Sequence, residues 1–283
     1  MRSIVACNNP LDLPKDASIL HLSPFPPDGE WGGAIRSREI FKVIKDIYPK
    51  SKSLHVWNLP ISLIPEAPEW IKQDHTQLED VAMMFKDFNS ESYLDNLPDA
   101  IAFDHPWLWT EAKKLKKIFP NAKLIHLSHN IEFLTKSDLL KGLNQNDRAS
   151  AVKYIRKAEE DIAKECDLIL CVTETDKLWF QNNGAREVVA ANNGTTTIPQ
   201  KIASPNKYAL VVGSAHPPNI EGSIKYLYDA PDWMPENSRL VYVGSMSYAL
   251  RGNLGREINL VRDTEVVYLG VKSNEDLNKL IAS

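Results

Sequence analysis

Short, nearly uninterrupted apolar runs punctuate the chain: SILHLS (18–23), SLHVWNL (53–59), AIAFDH (100–105), KLIHLS (123–128), LILCVT (168–173), EVVAAN (187–192), YALVVG (208–213), RLVYVG (239–244) and VVYLG (266–270). A strand with one wet face alternates apolar and polar residues. These runs do not, so they predict parallel strands buried on both faces. Between them the period changes. Ile35, Ile40, Phe41, Ile44 and Ile47 approach one helical face, and in 147–165 Ala151, Tyr154, Ile155, Ala158 and Ile162 recur at three- and four-residue spacing. Strand and helix in alternation predict βαβ units and an α/β fold with a doubly wound sheet.

The alternation is interrupted once, by the polar, twice-prolyl segment from Asn192 to Lys207, which has the composition of an interdomain linker. The expected organisation is therefore a first Rossmann-like domain over 1–200 and a second over 201–283. The residues after Gln200 are fewer than the roughly 100–150 of a common domain. They finish on EDLNKLIAS without a return strand, so the second domain is expected to be incomplete.

Composition narrows the class. With 43% hydrophobic and 25% charged residues, the chain has the balance of a globular protein. A net charge of −4 gives no electrostatic reason for a nucleic-acid partner. Lys113, Lys114, Lys116 and Lys117 go round a helix rather than along one stripe; a solvated face is the expectation, and peripheral contact with anionic lipid is the alternative. Cys7, Cys166 and Cys171 lack metal-ligand spacing and are odd in number, which fits a reducing cytoplasm and predicts neither a disulfide framework nor a metal site. No run of about 18 apolar residues occurs that could span a bilayer.

In open α/β sheets ligands sit at the carboxyl ends of strands. Four such places stand out. In SPFPPDGEWGGAIRS (23–37), Gly29, Gly32 and Gly33 separate a strand from a helix, so backbone N–H groups at that helix start could face a phosphate, or the turn could simply reverse the chain. In AIAFDHPWLW, Asp104 and His105 end a strand that Pro106 cannot continue; His105 is either a substrate contact or a locally satisfied residue. In KLIHLSHNIEFLTK, His126 lies within the strand as a packed residue. His129 and Asn130 fall just beyond it, where a neutral imidazole could orient a hydroxyl or take a proton, and Glu132 could offset a helix dipole. In YALVVGSAHPPNIEG, Gly213 and Ser214 end a strand, and Asn219 is expected to cap a helix from Ile220, again a phosphate cradle or a cap alone. Trp31, Trp57, Trp107 and Trp109 are read as core, with sugar stacking as the alternative. There is no GxGxxG, Walker A loop, GxSxG, HExxH or calcium loop, which disfavours an NAD oxidoreductase, a serine hydrolase and a zinc protease.

Taken in order, PFPPDGEWGGAIRS, DHPWL, LIHLSHNIE, AEEDIAKECDLILCVTETD, VVAANNG and ALVVGSAHPPNIEG resemble bacterial GT-B glycosyltransferases, nearest to the retaining family 4. The resemblance implies two Rossmann-like domains with a cleft between them, an acceptor side at the N-terminus and a nucleotide-sugar donor side at the C-terminus. It implies donor-phosphate contacts at Gly32 and Gly33, donor binding at Gly213, Ser214 and Asn219, and a sugar contact with a catalytic role at His129. It also implies substrate contacts at His105, Asn130, Asn193 and Gly194, and no metal or cofactor. Thr173 stands where the family commonly has serine. The arginine and lysine that many members carry after the first C-terminal strand are replaced here by Ser214, Asn219 and Glu221, and the family's paired-glutamate segment would lie beyond Ser283. The implied reaction moves a hexose from a nucleotide-sugar to a glycan or lipid-linked acceptor. The alternatives are an inactive module that binds a partner or nucleotide, and a sugar-nucleotide epimerase.

Overall fold

The computed structural model describes residues 11–29, 32–55, 97–139, 145–192, 208–215, 217–235, 238–254 and 265–282. The chain divides into two compact units, Met1–Gly194 and Thr195–Ser283. Most of the segment read as a linker lies outside the described residues.

In the first unit the described elements run β1 (Ile19–Ser23), α1 (Gly32–Ile47), β2 (Lys52–His55), β3 (Ala100–Asp104), a 3-10 turn (Pro106–Leu108), α2 (Trp109–Ile118), β4 (Lys123–Leu127), α3 (Glu132–Leu139), α4 (Gln145–Glu165), β5 (Leu168–Cys171), α5 (Glu174–Asn182) and β6 (Val188–Ala190). The strands form one six-stranded sheet, all parallel, in the order β2-β1-β3-β4-β5-β6. The chain leaves β1 toward β2 on one side, and β3 then lies on the other. That reversal makes the carboxyl ends of β1 and β3 the topological switch point, the position where doubly wound sheets take their ligands.

Period-two alternation distributes each strand's side chains between two cores. Leu20, Leu22, Ile101, Phe103, Leu124 and Ile169 pack with Leu115, Ile155, Ile162 and Phe180 from α2, α4 and α5. Ile19, Ala100, Ala102, Ile125 and Leu127 pack on the other face, against Ile40, Ile44 and Tyr48 of α1 and the turn after it. Two buried faces explain the continuous apolar runs. On α4 the buried set is Ala151, Ile155, Ala158 and Ile162, whereas Tyr154, expected among them, is half exposed.

Helix α1 departs in part from the expected face. Ile35 is 41% and Ile47 59% exposed, while the buried positions are Ala34 and Ser37. The small side chains let the start of the helix approach β1 and β3, where alanines line the facing strand. Ser37 faces Asp104 from the same side, while Ile40 and Ile44 still pack on the sheet.

The second unit contains β7 (Tyr208–Val212), α6 (Pro217–Trp233), β8 (Arg239–Val243), α7 (Met246–Leu254), β9 (Glu265–Tyr268) and α8 (Asn274–Ala282), with the strands parallel in the order β7-β8-β9. Leu227, Leu240, Tyr242, Met246 and Leu250 form its core. Helix α6 begins at Pro217 rather than Ile220, so Asn219 lies in its first turn and does not cap it. A proline without an N–H is well tolerated where helical N–H groups have no intrahelical partner. The Asn219 amide instead donates to the Ser214 carbonyl at 3.2 Å and lies 3.3 Å from the Ser214 hydroxyl.

The rotation of α1 yields a direct test. Ile35→Ala is expected to change unfolding free energy by less than about 0.5 kcal/mol, and Ala34→Leu to cost about 1–3 kcal/mol by overpacking. Urea unfolding of the two variants checks this, and the reverse ranking would refute the assigned face.

Candidate functional site at the β1/β3 crevice

Alternation places three residues on the α1 side of the sheet at rising heights. His21 follows Ile19 by two residues, Asp104 follows Ala102 by two, and His129 follows Leu127 by two. They converge. Asp104 is fully buried; its Oδ2 lies 3.0 Å from His21 Nε2, and its Oδ1 lies 3.2 Å from His129 Nε2. The Ser37 hydroxyl also donates to Oδ2. Burial alone would push the Asp104 carboxyl up, but the neighbouring His21 and the hydrogen bonds from His129 and His21 outweigh it and hold the group well below the usual carboxylate range. An ionised carboxylate only accepts, so both Nε2 atoms and the Ser37 hydroxyl must donate to it.

The polar chain continues into the loop after β1. Ser37 gives its proton to Asp104 and accepts from Ser23 at 2.8 Å, and Ser23 in turn accepts the Phe25 N–H at 3.2 Å. His55 Nδ1 lies 2.8 Å from the Phe25 carbonyl, and Arg38 donates to the carbonyls of Pro27 at 3.2 Å and Gly29 at 3.0 Å. The prolyl and glycyl stretch is thus a pinned loop. It carries Phe25 into the space that Gly33 leaves empty, where an added Cβ would sit 2.7 Å from the ring. The steric need for glycine at Gly33 therefore comes from Phe25. At Gly32 no described atom lies within 4 Å of an added Cβ, so that position needs no glycine on steric grounds.

His105 and His129, both 8% exposed, stack with ring centroids 4.2 Å apart, and the Phe25 ring stands 5.2 Å from the first and 5.6 Å from the second. His105 has φ 56° and ψ 156°, a conformation that non-glycine residues rarely take and that costs on the order of 1–3 kcal/mol. It is held between Trp107 and His129, with its N–H directed at the Leu127 carbonyl at 3.4 Å. Glu132 Oε1 lies 3.0 Å from His105 Nδ1, near enough for charge pairing but not aligned as a hydrogen bond, so both ring nitrogens of His105 are buried without a hydrogen-bond partner among the described residues. Burial would raise the Glu132 carboxyl; proximity to His105 and Lys136 outweighs it and brings the group down to about 2.

Glu132 is the acidic residue of the first turn of α3, as its place in the sequence suggests. Glu159 of α4 joins it there: its Oε1 accepts the Glu132 N–H at 2.7 Å and its Oε2 accepts the Phe133 N–H at 3.0 Å. Burial pushes the Glu159 carboxyl up to about 8 against those two bonds. Burial, reinforced by His105, lowers His129, and the Asp104 contact offsets this only in part, so the His129 imidazole is neutral at pH 7. Asp104 holds Nε2, and no described residue bonds Nδ1.

Other expected residues fall as follows. Asn130 is exposed, with its amide 3.4 Å from Glu132 Oε1. Asn193 and Gly194 lie outside the described residues, as do Trp31 and Trp57, while Trp107 and Trp109 are core. Gly213, Ser214 and Asn219 adjoin in the second unit; a Cβ on Gly213 would come 2.9 Å from Met246 Sδ. Thr173 begins α5 in a reciprocal capping box with Asp176. Of the four lysines, Lys116 donates to the carbonyls of Pro120 and Ala122, Lys113 lies over Trp109, and Lys114 is 3.5 Å from Glu111. Sequence reading gave no role to His21, Ser37 or Glu159; the two-residue step from a buried strand position was the signal available for His21.

No family model matches the chain, and no curated protein matches it in sequence. Among solved structures it is similar to sucrose-phosphate synthase from Thermosynechococcus elongatus, with a TM-score of 0.63 and 12% identity, covering 94% of this chain and 73% of that one. That likeness shows the fold. It is the α/β architecture of GT-B enzymes, built from Rossmann-like units. Among the described residues, no helix is long and apolar enough to cross a membrane, and no group of three or more His, Cys, Asp or Glu is placed to hold a metal ion.

The buried imidazoles predict an acid limb in stability. Burial, with His105 alongside, lowers His126 from 6.5 to about 3, so between those values the unfolded chain binds more protons and stability falls as pH falls. Glu159 acts in the opposite sense between its ordinary 4.5 and about 8, and cancels on comparing two proteins that both carry it. His126→Gln is expected to flatten the limb between about pH 6.5 and 3 by about one proton, read from urea midpoints across pH. Parallel limbs in the two proteins would refute a neutral, buried His126.

Proposed function

We propose that the protein is a glycosyltransferase of GT-B fold. It moves a hexose from a nucleotide-activated donor to a hydroxyl of a glycan or lipid-linked saccharide. The observation that carries this reading is the His129 imidazole, held through Nε2 by the buried Asp104 carboxylate at the carboxyl ends of the first sheet's strands, in a chain with the fold of that enzyme class. His129 positions the donor sugar. Gly32 and Gly33 at the start of α1 offer backbone dipoles to the diphosphate leaving group. Gly213, Ser214 and Asn219 of the second unit are assigned to donor binding. His105, Asn130, Asn193 and Gly194 complete the substrate contacts. The sequence resemblance supports retention, metal independence and a family 4 relationship; the cysteine usage supports a cytoplasmic location, with peripheral membrane contact through the lysines of α2 as an accompanying reading.

Calorimetry with UDP, GDP, dTDP, CMP and NAD at equal concentration tests the reading. Selective heat from one nucleoside diphosphate is expected; heat from NAD alone, or silence from all five, overturns it. With the matching nucleotide-sugars, release of nucleoside diphosphate should then be measurable. His129→Ala should lower kcat/KM by on the order of 10²-fold, the scale of lost positioning, at unchanged circular dichroism.

A further inference from the structure

Asp104 and its supporters have no role in the reading above. Asp104 ends β3, receives His21 from β1 and Ser37 from α1 on one oxygen, and spends its other oxygen on His129 Nε2 at 3.2 Å. A buried residue held on both oxygens from three elements is more than a core filler, because an apolar side chain would satisfy the same space at less desolvation cost. What it adds is orientation: one proton is fixed on His129 Nε2, which leaves Nδ1 with a lone pair.

We propose that Asp104 is a positioning residue that sets the tautomer of His129, so that the imidazole offers Nδ1 as a hydrogen-bond acceptor to a hydroxyl of the sugar. This rests on the glycosyltransferase reading for the identity of the ligand, but not for the tautomer. The group seated on His129 is then a hydrogen-bond donor, a hydroxyl or an amine, and not a phosphate or carboxylate oxygen. The charged and titratable groups facing this ring are Arg36 from α1, His21 from β1, Asp104 and His105 at the end of β3, His126 from β4, and Glu132 at the start of α3 beyond His105. Of these only Asp104 hydrogen-bonds the ring among the described residues.

The tautomer is read by long-range proton–nitrogen NMR on the uniformly labelled full chain, with the His129 signals assigned by their loss in His129→Gln. At pH 7 Nε2 should resonate as protonated and Nδ1 as bare. A proton on Nδ1, or on both nitrogens, in the wild-type protein overturns the proposal. In Asp104→Asn the single tautomer should give way to a mixture or to the Nδ1–H form. Turnover should fall on the order of 10²-fold through kcat, while the affinity for the selected nucleoside diphosphate stays within about twofold. An Asp104→Asn protein with the wild-type tautomer and turnover also overturns it; should that variant fail to fold, the wild-type spectrum decides alone. If no nucleoside diphosphate binds, the functional reading fails while the tautomer result stands, so the two failures are distinguishable.

Discussion

A carboxylate taken fully out of water must be matched on both oxygens or give up its charge, and Asp104 keeps its charge. That requirement reaches through the first unit. It needs a donor from the strand on one side of β3, a donor from the turn after the strand on the other, and a hydroxyl from the helix above. His21, His129 and Ser37 meet those needs from β1, the turn after β4, and α1. The parallel order with β3 between β1 and β4 brings the imidazoles to the two sides of the carboxylate. The small residues at the start of α1 allow the hydroxyl to reach it. Loss of any one partner would strand part of a buried charge, a change that costs several kcal/mol in comparable sites.

The same network ties a loop to the sheet. Through Ser23 and Ser37 the backbone of Phe25 is linked to Asp104, and the Phe25 ring lies over the His105 and His129 pair. The site therefore consists of a rigid polar base and a pinned aromatic cover. Within it His105 sits in a strained backbone conformation with its ring confined between Trp107 and His129. Strain of this kind persists where the surroundings over-determine a residue, which is the usual setting of a ligand-contacting side chain.

Much of the fold was legible in the chain. Uninterrupted apolar runs gave parallel strands, and the alternation gave α/β units. Both faces are covered in the central β1 and β3, but β2, β6, β7 and β9, expected to be buried too, are partly exposed because they lie at sheet edges. On α1 the expected Ile40, Phe41 and Ile44 do turn toward the sheet, whereas Ile35 and Ile47 are exposed and Ser37 is buried with its hydroxyl on Asp104, a contact that hydropathy does not record. Gly33 was marked as a special position, yet the reason found is the Phe25 ring, whose approach depends on how the loop folds back. His105 and His129 were picked out by their place after strands. Their buried supports were not, since His21 reads as one polar residue in an apolar run, and Glu159 reads as one more charge on a solvated helix. Both become meaningful only when distant elements meet.

Glu159 also changes what the first unit can attract. A helix start beside a strand-end crevice ordinarily draws phosphate, because its N–H groups point outward unpaired. At α3 two of those groups already bond to the oxygens of a carboxyl group supplied by the protein itself. The fold has thus installed a permanent internal competitor. An incoming anion would have to displace a tethered partner whose effective concentration is set by the fold itself, so the first turn of α3 is closed in a way that its place beside a strand end does not reveal.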